Sequence, residues 1–589
     1  MMNARSSKRV GRQGVGSTFL LALTAALLML ISHTARAQPS AGPTFDDASH
    51  GSYVIEGEYV VDFEDDIESG TIAKWLAKLG LTSRSSALAD ETRIEIVRIK
   101  PSLRGRLKSI VATLRGDERV EYVEPHFRVR ALFVPDDPMY RDQWHLRRVG
   151  AEAAWLGSIG RGVTVAVVDT GIACESFEGF AKATDLAQTR CVAGFNFVTG
   201  KRHANDDHGH GTHVAGTIAQ STHNGLGAAG LAFGARLMPV KVLSADGWGT
   251  TSAVADGIRW AAQHGAQVIN LSLGGPRQSR VLREAVAYAR GRGAIVVAAA
   301  GNNGGAASYP GASKGVIGVS ATDQNDKLAR FSSRGRGVDL AAPGVAVVQQ
   351  TVCQRGLNKC EIFPSYNGTS MASPHVAAAA AMLVGLGVTD GDAVAAALIK
   401  HVTPLEDGAA GAGLLQAGAA VRGVMTRQLL ARFAALLLAL GLARRWAKKR
   451  GPIVGFRSAG FWFGAIGTSV GLLFFLPWLL GRHHLVVDLL SRPFAQWDLV
   501  LIGASWHRFL PLANALLPVV LVVSLLSVRR MAGFVAGFSV GTGGFLLSIV
   551  LLGQHGSPLG WLLTTIWCGV NGLLAIYIGS LLIVERKGT

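Results

Sequence analysis

The chain has 589 residues, of which 49% are hydrophobic, and its formal net charge is +18. A chain of this length exceeds what one hydrophobic core can hold, so we expect two to four domains. The basic residues lie near the N-terminus and beside apolar segments, and they do not alternate with aromatic residues. This distribution excludes nucleic acid as an expected partner and is typical of proteins targeted to a membrane.

The first 37 residues have the composition of a signal peptide. Basic residues precede an apolar stretch at Phe19–Ile31, and the sequence ARA at 35–37 has the small-x-small pattern of a cleavage site. The pattern predicts that residues 1–37 are a signal peptide removed after Ala37. The alternative is an uncleaved anchor helix, for which the apolar stretch is short.

Residues 38–135 are predicted to contain a polar linker followed by a small α+β domain. Segments with strand and helix periodicity alternate from Ser52 to about Val129. The segment ALFVPDDPMYRD at 131–142 carries two prolines and several acidic residues, which indicate an exposed connector to the next domain.

Residues 136–422 contain apolar segments typical of buried parallel strands, separated by helical segments. The strands are predicted at Val163–Val168, Arg236–Leu243, Val268–Leu273, Ile295–Ala299 and Val316–Val319. This alternation favours an α/β fold with a doubly wound, mainly parallel sheet. Such sheets bind ligands at the carboxyl ends of their strands, and Asp169, Gly274 and Asn302 lie just past predicted strands.

Three histidines lie close together in HGHGTHVAG, at 208–216. A helical zinc site usually has two histidines four residues apart with an adjacent glutamate. His208, His210 and His213 are spaced by two and three, and no glutamate lies among them. Taken alone, the cluster is typical of a structural or weak metal site, and the competing interpretation is that one histidine is a catalytic base.

Three further segments favour the catalytic interpretation. VAVVDTGI places Asp169 after a buried strand, and an aspartic protease would need a second DTG, which the sequence lacks. VVAAAGNNG presents Asn302, whose amide can donate to an oxyanion. YNGTSMASPHVAA places Ser370 among small residues at a helix start. Together with His210, these residues supply what nucleophilic acyl transfer requires.

The motifs DTGI, HGTHVAG, NLSLGG, AAGN and GTSMASPHVAA resemble those of the subtilisin-like serine proteases (peptidase family S8) and occur in that family's order. The resemblance covers about 136–421. It implies a catalytic triad, an oxyanion-hole asparagine and catalysis without a cofactor. The residues that match these roles are Asp169, His210 and Ser370 for the triad and Asn302 for the oxyanion hole.

The same resemblance implies that an extended polypeptide substrate lies between two backbone edges. The matching positions are Gly247, Trp248, Gly249, Ser272, Leu273, Gly274 and Ser308. Trp248 is bulkier than is usual in the family, and Ser308 stands where glycine is common. His208 falls outside the motif, and His213 is expected to be a helix-packing residue.

Two other segments resemble parts of the family. HNGLGAAG at 223–230 is similar to its calcium loop, with Asn224 at a matching position, although His223 and Gly225 supply few oxygen ligands. A structural calcium ion and a metal-free loop are therefore both expectations. The 38–135 domain resembles the family's inhibitor-like (I9) propeptide, which the enzyme itself would cut off within 127–138.

Four cysteines fall in the part of the chain that we expect to be exported, where disulfides persist. They allow three pairings, and proximity in the sequence favours Cys174–Cys191 with Cys353–Cys360. Cys568 lies in an apolar segment and is expected to be a small buried residue.

The last part of the chain, 423–589, is predicted to be an all-α transmembrane region. Its candidate spans are 429–443, which is short and contains Arg432, and then 459–480, 509–528, 531–553 and 559–584. Five spans would put the cluster Arg444–Arg450 and the pair Arg529-Arg530 on the cytoplasmic side. The positive-inside rule favours that topology, which leaves the C-terminus in the cytoplasm and residues 136–422 outside it.

The sequence thus predicts an exported, membrane-anchored serine endopeptidase made as a self-processed zymogen. Its expected partners are a polypeptide substrate, its own propeptide as a transient inhibitor, and the lipid bilayer. Two other hypotheses remain: a catalytically silent, subtilase-shaped binding domain, and a metal-dependent hydrolase built on the histidines. The membrane region is expected to be an anchor, with transport or signalling as the alternative.

Overall fold

The structure is a computed structural model that describes residues 54–86, 88–127, 133–352, 363–480, 483–507, 509, 516–525, 528–557 and 560–585. The described residues fall into two compact units, one within His33–Leu132 and one from Phe133 onward. The predicted signal peptide at 1–37, most of the linker after it and the predicted Cys353–Cys360 bridge lie outside the described residues.

The smaller unit is an antiparallel four-stranded sheet with helices packed on it, which is the predicted α+β architecture. Its sheet order is β2-β3-β1-β4. Its core contains inward-facing strand residues such as Val61, Phe63 and Val97, together with Leu76 and Leu114 from the helices. The elements are β1 Val54–Phe63, α1 Ser69–Lys78, β2 Thr82–Ser85, α2 Ala89–Thr92, β3 Ile94–Arg98, α3 Leu107–Arg115 and β4 Val120–Phe127.

The larger unit contains the predicted doubly wound parallel sheet. Its order among the described strands is β12-β11-β10-β9-β5-β8-β6, with β7 also paired to β8. The strands are β5 Thr164–Asp169, β6 Arg190–Cys191, β7 Phe195–Asn196, β8 Arg236–Lys241, β9 Val268–Leu271, β10 Ile295–Ala299, β11 Val316–Thr322 and β12 Leu340–Pro343, and a separate hairpin pairs β13 Val347–Val348 with β14 Ser365–Tyr366.

Both faces of this sheet are covered by helices. These helices are α4 Trp144–Arg148, α5 Ala151–Trp155, α6 His210–Ala219, α7 Thr251–Gln263, α8 Arg280–Gly291, α9 Thr369–Gly385 and α10 Gly391–Lys400. Val165 and Val167 of β5 face the layer that contains α6 and α9. Ala166 and Val168 face the layer that contains α7 and α8. Because successive strand residues are buried on opposite faces, the strands are apolar throughout, which is what made them visible in the sequence.

The connector at 131–142 differs from the prediction, because its described part is not simply exposed. Asp137 and Tyr140 are 3% and 5% exposed. The Asp137 carboxylate accepts hydrogen bonds from the backbone N–H groups of His223 and Asn224. These contacts draw a polar, proline-containing segment into the protein, and local composition does not encode them.

The apolar C-terminal part is helical, and it begins with one long helix. This helix, α11, runs for 32 residues from Ala417 to Lys448, so the predicted domain boundary at 422 falls inside it. The later helices are α12 Ala459–Ser469, α13 Leu476–Leu480, α14 Leu485–Ser491, α15 Trp497–Leu501, α16 Ala504–His507, α17 Leu517–Leu525, α18 Ala532–Leu552 and α19 Gly560–Leu582. Among the described residues, α11, α18 and α19 are long and apolar enough to cross a membrane.

The predicted span at 459–480 is not one helix, and this corrects the prediction. It is divided into α12 and α13, with Gly471 between them at a φ of 108°. A Cβ on Gly471 would lie 2.5 Å from the carbonyl oxygen of Ser491. The chain therefore breaks where a later loop approaches its backbone, which apolar composition alone does not reveal. The predicted span at 509–528 is described only in part, as α17.

The two ends of the helical region have different neighbours. At one end, Arg161 pairs with Asp488, and the side chain of Gln267 donates to Ser505 Oγ at 2.8 Å. Arg161 and Gln267 precede β5 and β9, so this end contacts the N-terminal edge of the sheet. At the other end, Ile453 pairs with Val584 in an isolated bridge. The helical region thus packs on the edge of the sheet opposite to the carboxyl ends of the strands.

Candidate active site

Asp169 and His210 meet at the carboxyl edge of the sheet. Asp169 is the last residue of β5 and is fully buried, and His210 is the first residue of α6. Nδ1 of His210 lies 2.7 Å from Oδ1 of Asp169. A Cβ on Gly211 would lie 2.1 Å from the carbonyl oxygen of Gly171, so glycine allows α6 to approach the turn after β5. The segment around Asp169 and the segment around His210 therefore fit together only because their backbones can approach closely.

The His210 imidazole is oriented by a carboxylate and partly open to solvent. Its Nδ1 faces the carboxylate, and its side chain remains 22% exposed. Burial opposes the charged form, but the Asp169 carboxylate and the more distant Asp206 outweigh that effect and raise the pKa of His210 above the ordinary histidine value. The buried carboxylate thus orients the ring and stabilises its protonated form.

Asp206 organises the backbone around Asp169 and His210, and the sequence reasoning missed it. Its carboxylate accepts hydrogen bonds from the backbone N–H groups of His208, Gly209 and Thr212, and also from Thr170 Oγ1. These bonds join the turn after β5 to the start of α6. The signal available in the sequence was an aspartate just before a glycine-rich helix start, which is typical of capping.

Ser370 lies in the first turn of α9 and is half-buried. Its Oγ donates to the carbonyl oxygen of Ser272 at 3.1 Å, and Ser272 Oγ donates to the carbonyl oxygen of Ser370 at 2.8 Å. Deeper in α9, Ser373 Oγ donates to Asn270 Oδ1 at 2.7 Å. These bonds fasten the start of α9 to β9 and to the residue that follows it. The Ser370 hydroxyl is therefore bonded to the residue that follows β9. Among the described residues, it forms no hydrogen bond with His210.

Asn302 is held in one orientation by Thr369, which the sequence reasoning also missed. The Thr369 backbone N–H and its hydroxyl donate to Asn302 Oδ1 at 2.8 and 2.9 Å. The Thr369 backbone N–H can only donate, so the side-chain atom of Asn302 that faces it must be the oxygen. Nδ2 of Asn302 therefore points away from Thr369. A Cβ on Gly368 would lie 3.4 Å from that Nδ2 and 3.5 Å from Ser370 N. Two N–H donors therefore converge beside the glycine that precedes α9.

The predicted substrate-binding residues lie on three loops, which follow β8, β9 and β10. In the first, Gly247, Trp248 and Gly249 follow β8, and Trp248 is 80% exposed. In the second, Ser272, Leu273 and Gly274 follow β9, and the next residue, Gly275, pairs with Tyr309 in a backbone bridge. Ser308 Oγ would lie 2.4 Å from a Cβ on Gly301, so the hydroxyl fills the space beside the strand end that leads to Asn302.

The three histidines of the HGHGTHVAG segment have separate partners. His208 Nδ1 accepts from the His210 backbone N–H, while the His213 ring stacks on Tyr366 with centroids 4.3 Å apart. Burial lowers the pKa of His213 to about 3, so its ring is neutral. The rings do not converge on one point, and only His210 engages a carboxylate at the strand end.

Comparison with known proteins decides the family. The model of the subtilase family, Peptidase_S8, matches residues 160–410, and the model of the fervidolysin N-terminal prodomain matches residues 39–126. A thermophilic serine proteinase from Bacillus sp. (strain AK1) is 37% identical over 340 residues, which cover 57% of this chain and 80% of that protein. The chain belongs to the subtilase family of serine proteases.

Two further proteins similar to this subtilase are a curated relative and a solved structure. Subtilisin BL from Lederbergia lenta is 46% identical over 242 residues, which cover 41% of this chain and 83% of that protein. A solved structure of a protease from Pseudoalteromonas arctica PAMC 21717 is 31% identical and has a TM-score of 0.46. The match covers 50% of this chain and 100% of the solved chain. The predicted propeptide is confirmed as a subtilase prodomain, and the matching model is that of fervidolysin.

The subtilase unit contains a disulfide between Cys174 and Cys191, the pair that proximity in the sequence favoured. It joins the segment after β5 to β6. Cys568 is a free, buried thiol in α19.

The segment 223–230, which resembles the family's calcium loop, contains Asn224. Asn224 Nδ2 and the Ala228 backbone N–H both donate to the Asp185 carboxylate, at 3.0 and 2.8 Å. Asn224 Oδ1 accepts from the Leu226 backbone N–H. Burial raises the pKa of Asp185 to about 6. The Asp185 carboxylate and Asn224 Oδ1 are thus both engaged by N–H donors, so in this form these two side chains do not offer their oxygen atoms to a calcium ion.

Proposed function

We propose that this subtilase is an exported, membrane-anchored serine endopeptidase with Asp169, His210 and Ser370 as its triad. Ser370 Oγ attacks the carbonyl carbon of a peptide bond, and His210 Nε2 takes its proton and returns it to the leaving amine. Water then hydrolyses the acyl-enzyme by the same route in reverse. The observation that carries the proposal is the 2.7 Å contact between His210 Nδ1 and Asp169 Oδ1.

The resting position of Ser370 is compatible with this mechanism. Its hydroxyl is bonded to Ser272 O, and rotation about one side-chain bond would turn it away from that oxygen. Catalytic hydrogen bonds are often long or misaligned before substrate binds. A substrate strand that uses the backbone of Ser272–Gly274 would compete for the Ser272 carbonyl and favour the rotated hydroxyl.

The oxyanion formed during attack would be held by Asn302 Nδ2 and by the Ser370 backbone N–H. Thr369 occupies the Asn302 oxygen, so the amide nitrogen is available without rearrangement, as preorganised electrostatic catalysis requires. The substrate backbone would lie between Gly247–Gly249 and Ser272–Gly274, and Trp248 and Ser308 would shape its side-chain preference.

We further propose that the prodomain, 38–135, inhibits the enzyme transiently and is removed by it within 127–138. The match to a subtilase prodomain supports this proposal. Export would follow from a signal peptide at 1–37, which lies outside the described residues.

The proposed membrane topology places the protease outside the cytoplasm and the C-terminus inside it. The segments 483–507 and 553–557 both contact the part of the chain that contains the parallel sheet, called here the protease unit. Arg161 pairs with Asp488, and the Thr389 N–H donates to Gln554 O. The segment after Lys448 instead pairs with Val584 at the opposite end. Loops that alternate between the two ends support repeated crossings, and Arg444–Arg450 lies at the end away from the protease, as the positive-inside rule favours.

A size comparison of full-length wild type with Ser370→Ala tests the proposal. Both proteins carry a C-terminal tag and are purified from membranes, and Ser365→Ala, an exposed neighbour, is the control. Wild type and control should lose the prodomain, roughly 10 kDa, while Ser370→Ala keeps it. If all three proteins have the same length and a serine-directed probe labels none of them, the chain is a silent binding domain.

A further inference from the structure

A cavity of about 50 Å³ lies beneath the protease unit, between α11 and the loop that follows α13. Charged or titratable side chains in its wall are Arg432, His483, Asp488 and Arg492. The cavity lies on the edge of the sheet opposite to the proposed active site, and the peptidase mechanism uses none of these residues.

Arg432 is buried in this wall with too few partners. Its side chain belongs to α11, and the residue is 7% exposed. One of its terminal nitrogens lies 3.3 Å from Gln428 Oε1, and among the described residues its Nε has no hydrogen-bond partner. A guanidinium carries five N–H donors, and leaving them unmet away from water is costly. A ligand with several acceptor oxygens would satisfy them.

Arg492 brings a second guanidinium to the same cavity. Its Nη1 donates to the carbonyl oxygen of Gly385 at 2.7 Å, which anchors the side chain under the end of α9. A carbonyl oxygen is a neutral acceptor and leaves the positive charge in place. Two arginines therefore line one small, half-open cavity, where their like charges repel and an anion between them would relieve the repulsion.

The nearest carboxylate already has two other side chains as hydrogen-bond partners. Asp488 accepts from Arg161 Nε and, at 2.6 Å, from His483 Nδ1. The other ring nitrogen of His483 faces the Trp155 carbonyl oxygen. Both ring nitrogens therefore face acceptor oxygens. Asp488 thus hydrogen-bonds Arg161 and His483 and acts on Arg492 through its charge alone, while no carboxylate among the described residues acts on Arg432.

The other carboxylates in this part of the chain form no ion pair with Arg432 among the described residues. After Asp407 the sequence contains three acidic side chains, those of Asp488, Asp498 and Glu585. Asp498 is paired with His507, whose Nδ1 lies 2.8 Å away. Glu585 lies at the opposite end of the helical region, where its N–H donates to Pro452 O. Asp488 and Asp498 offset the charge of Arg492 in part, so it is the charge of Arg432 that calls for an anion from outside the chain.

We propose that this cavity binds a phosphate group, with Arg432 and Arg492 as its ligands. A single water needs about 10–15 Å³ of such space, so the cavity has room for one tetrahedral anion. Arginine forks match phosphate oxygens, and the phosphate of a lipid headgroup and free phosphate present the same oxygens. The group would come from a phospholipid headgroup or from inorganic phosphate, and it would link the helical region to the base of the protease.

The test uses the full-length protein purified in detergent, with phosphatidylglycerol in mixed micelles and sodium phosphate as separate probes. Bound phospholipid is measured by native mass spectrometry, and the midpoint of thermal unfolding is measured with each probe. Arg432→Gln and Arg492→Gln keep polar side chains but remove one charge each. Arg444→Gln removes an exposed charge from the same helix and is the matched control.

We expect one probe to raise the unfolding midpoint of wild type and of Arg444→Gln, and its affinity to fall about tenfold or more in the two cavity variants. A rise with phospholipid alone identifies a headgroup site, and a rise with inorganic phosphate identifies a free-anion site. Equal binding by wild type and both cavity variants, or an equal loss in Arg444→Gln, would overturn the proposal.

A second variant covers the case in which the glutamine variants do not fold. Arg432→Met removes the buried charge and keeps an extended side chain. If the cavity holds no anion, removal of an unpaired charge should raise the midpoint of unfolding in every condition, and the proposal fails. If phosphate binds there, wild type is the more stable of the two with the probe present, and only wild type responds to it.

Discussion

Nδ1 of His210 lies 2.7 Å from the buried Oδ1 of Asp169, which also accepts the Thr170 backbone N–H at the same distance. The Thr170 backbone N–H therefore holds the Asp169 carboxylate in place, and the carboxylate in turn orients the imidazole. Asp169→Asn should keep the shape of the site but favour the wrong ring tautomer. We expect kcat to fall by about 10⁴-fold with little change in KM. Asp256→Asn, an exposed aspartate on α7, is the control, and a loss below tenfold in Asp169→Asn would contradict the triad.

The pH dependence of kcat/KM should report His210. The base must be unprotonated to act, and the Asp169 carboxylate raises its pKa despite burial. The acid limb of the profile should therefore lie above the ordinary histidine pKa of about 6.5. Asp169→Asn removes the raising charge, so its residual activity should have an acid limb at lower pH. An acid limb that does not move between the two proteins would show that another group controls it.

Asn302→Ala should lower kcat by about 10²–10³-fold, which corresponds to about 2.7–4 kcal/mol of transition-state stabilisation, and leave KM nearly unchanged. Thr369→Val removes one of the two donors to Asn302 Oδ1 and keeps the other, so a smaller loss is expected. Asn325→Ala, in a turn away from the site, is the control. Equal losses of kcat in Thr369→Val and Asn302→Ala would show that Thr369 does more than orient the amide.

Removal of calcium should not change the stability of this subtilase. The Asp185 carboxylate already accepts hydrogen bonds from Asn224 Nδ2 and from the Ala228 backbone N–H. Asn224 Oδ1 accepts one from the Leu226 backbone N–H. Dialysis against a calcium chelator should move the unfolding midpoint by less than about 2 °C, because about 1 kcal/mol moves it by 2–4 °C in a domain of this size. Added calcium is the matched condition, and a larger fall on chelation that calcium reverses would contradict this expectation.

The sequence predicted the architecture of the site because its main residues follow strongly patterned segments. Asp169 ends a fully apolar strand, and Ser370 begins a helix rich in alanine. Asp206 and Thr369 were missed because their roles arise from contacts with Thr170 and Asn302, 36 and 67 positions away in the chain. Such contacts leave no local pattern.

The helical region was less predictable for the same physical reason. Apolar composition shows that a segment is compatible with a bilayer, but it does not show whether the helix continues. The break at Gly471 follows from the approach of the Ser491 backbone, and the continuity of α11 across residue 422 follows from its packing against the protease unit. Neither contact is encoded near the residues that it affects.

The most direct test of the central claim is to locate the covalent adduct of a fluorophosphonate probe in the full-length protein. Peptide mass spectrometry should find the adduct on Ser370 in wild type and lose most of it in His210→Ala, because the serine is weakly nucleophilic without its base. Labelling of a different residue, or labelling of Ser370 that is equally fast in His210→Ala, would contradict a mechanism in which His210 activates Ser370.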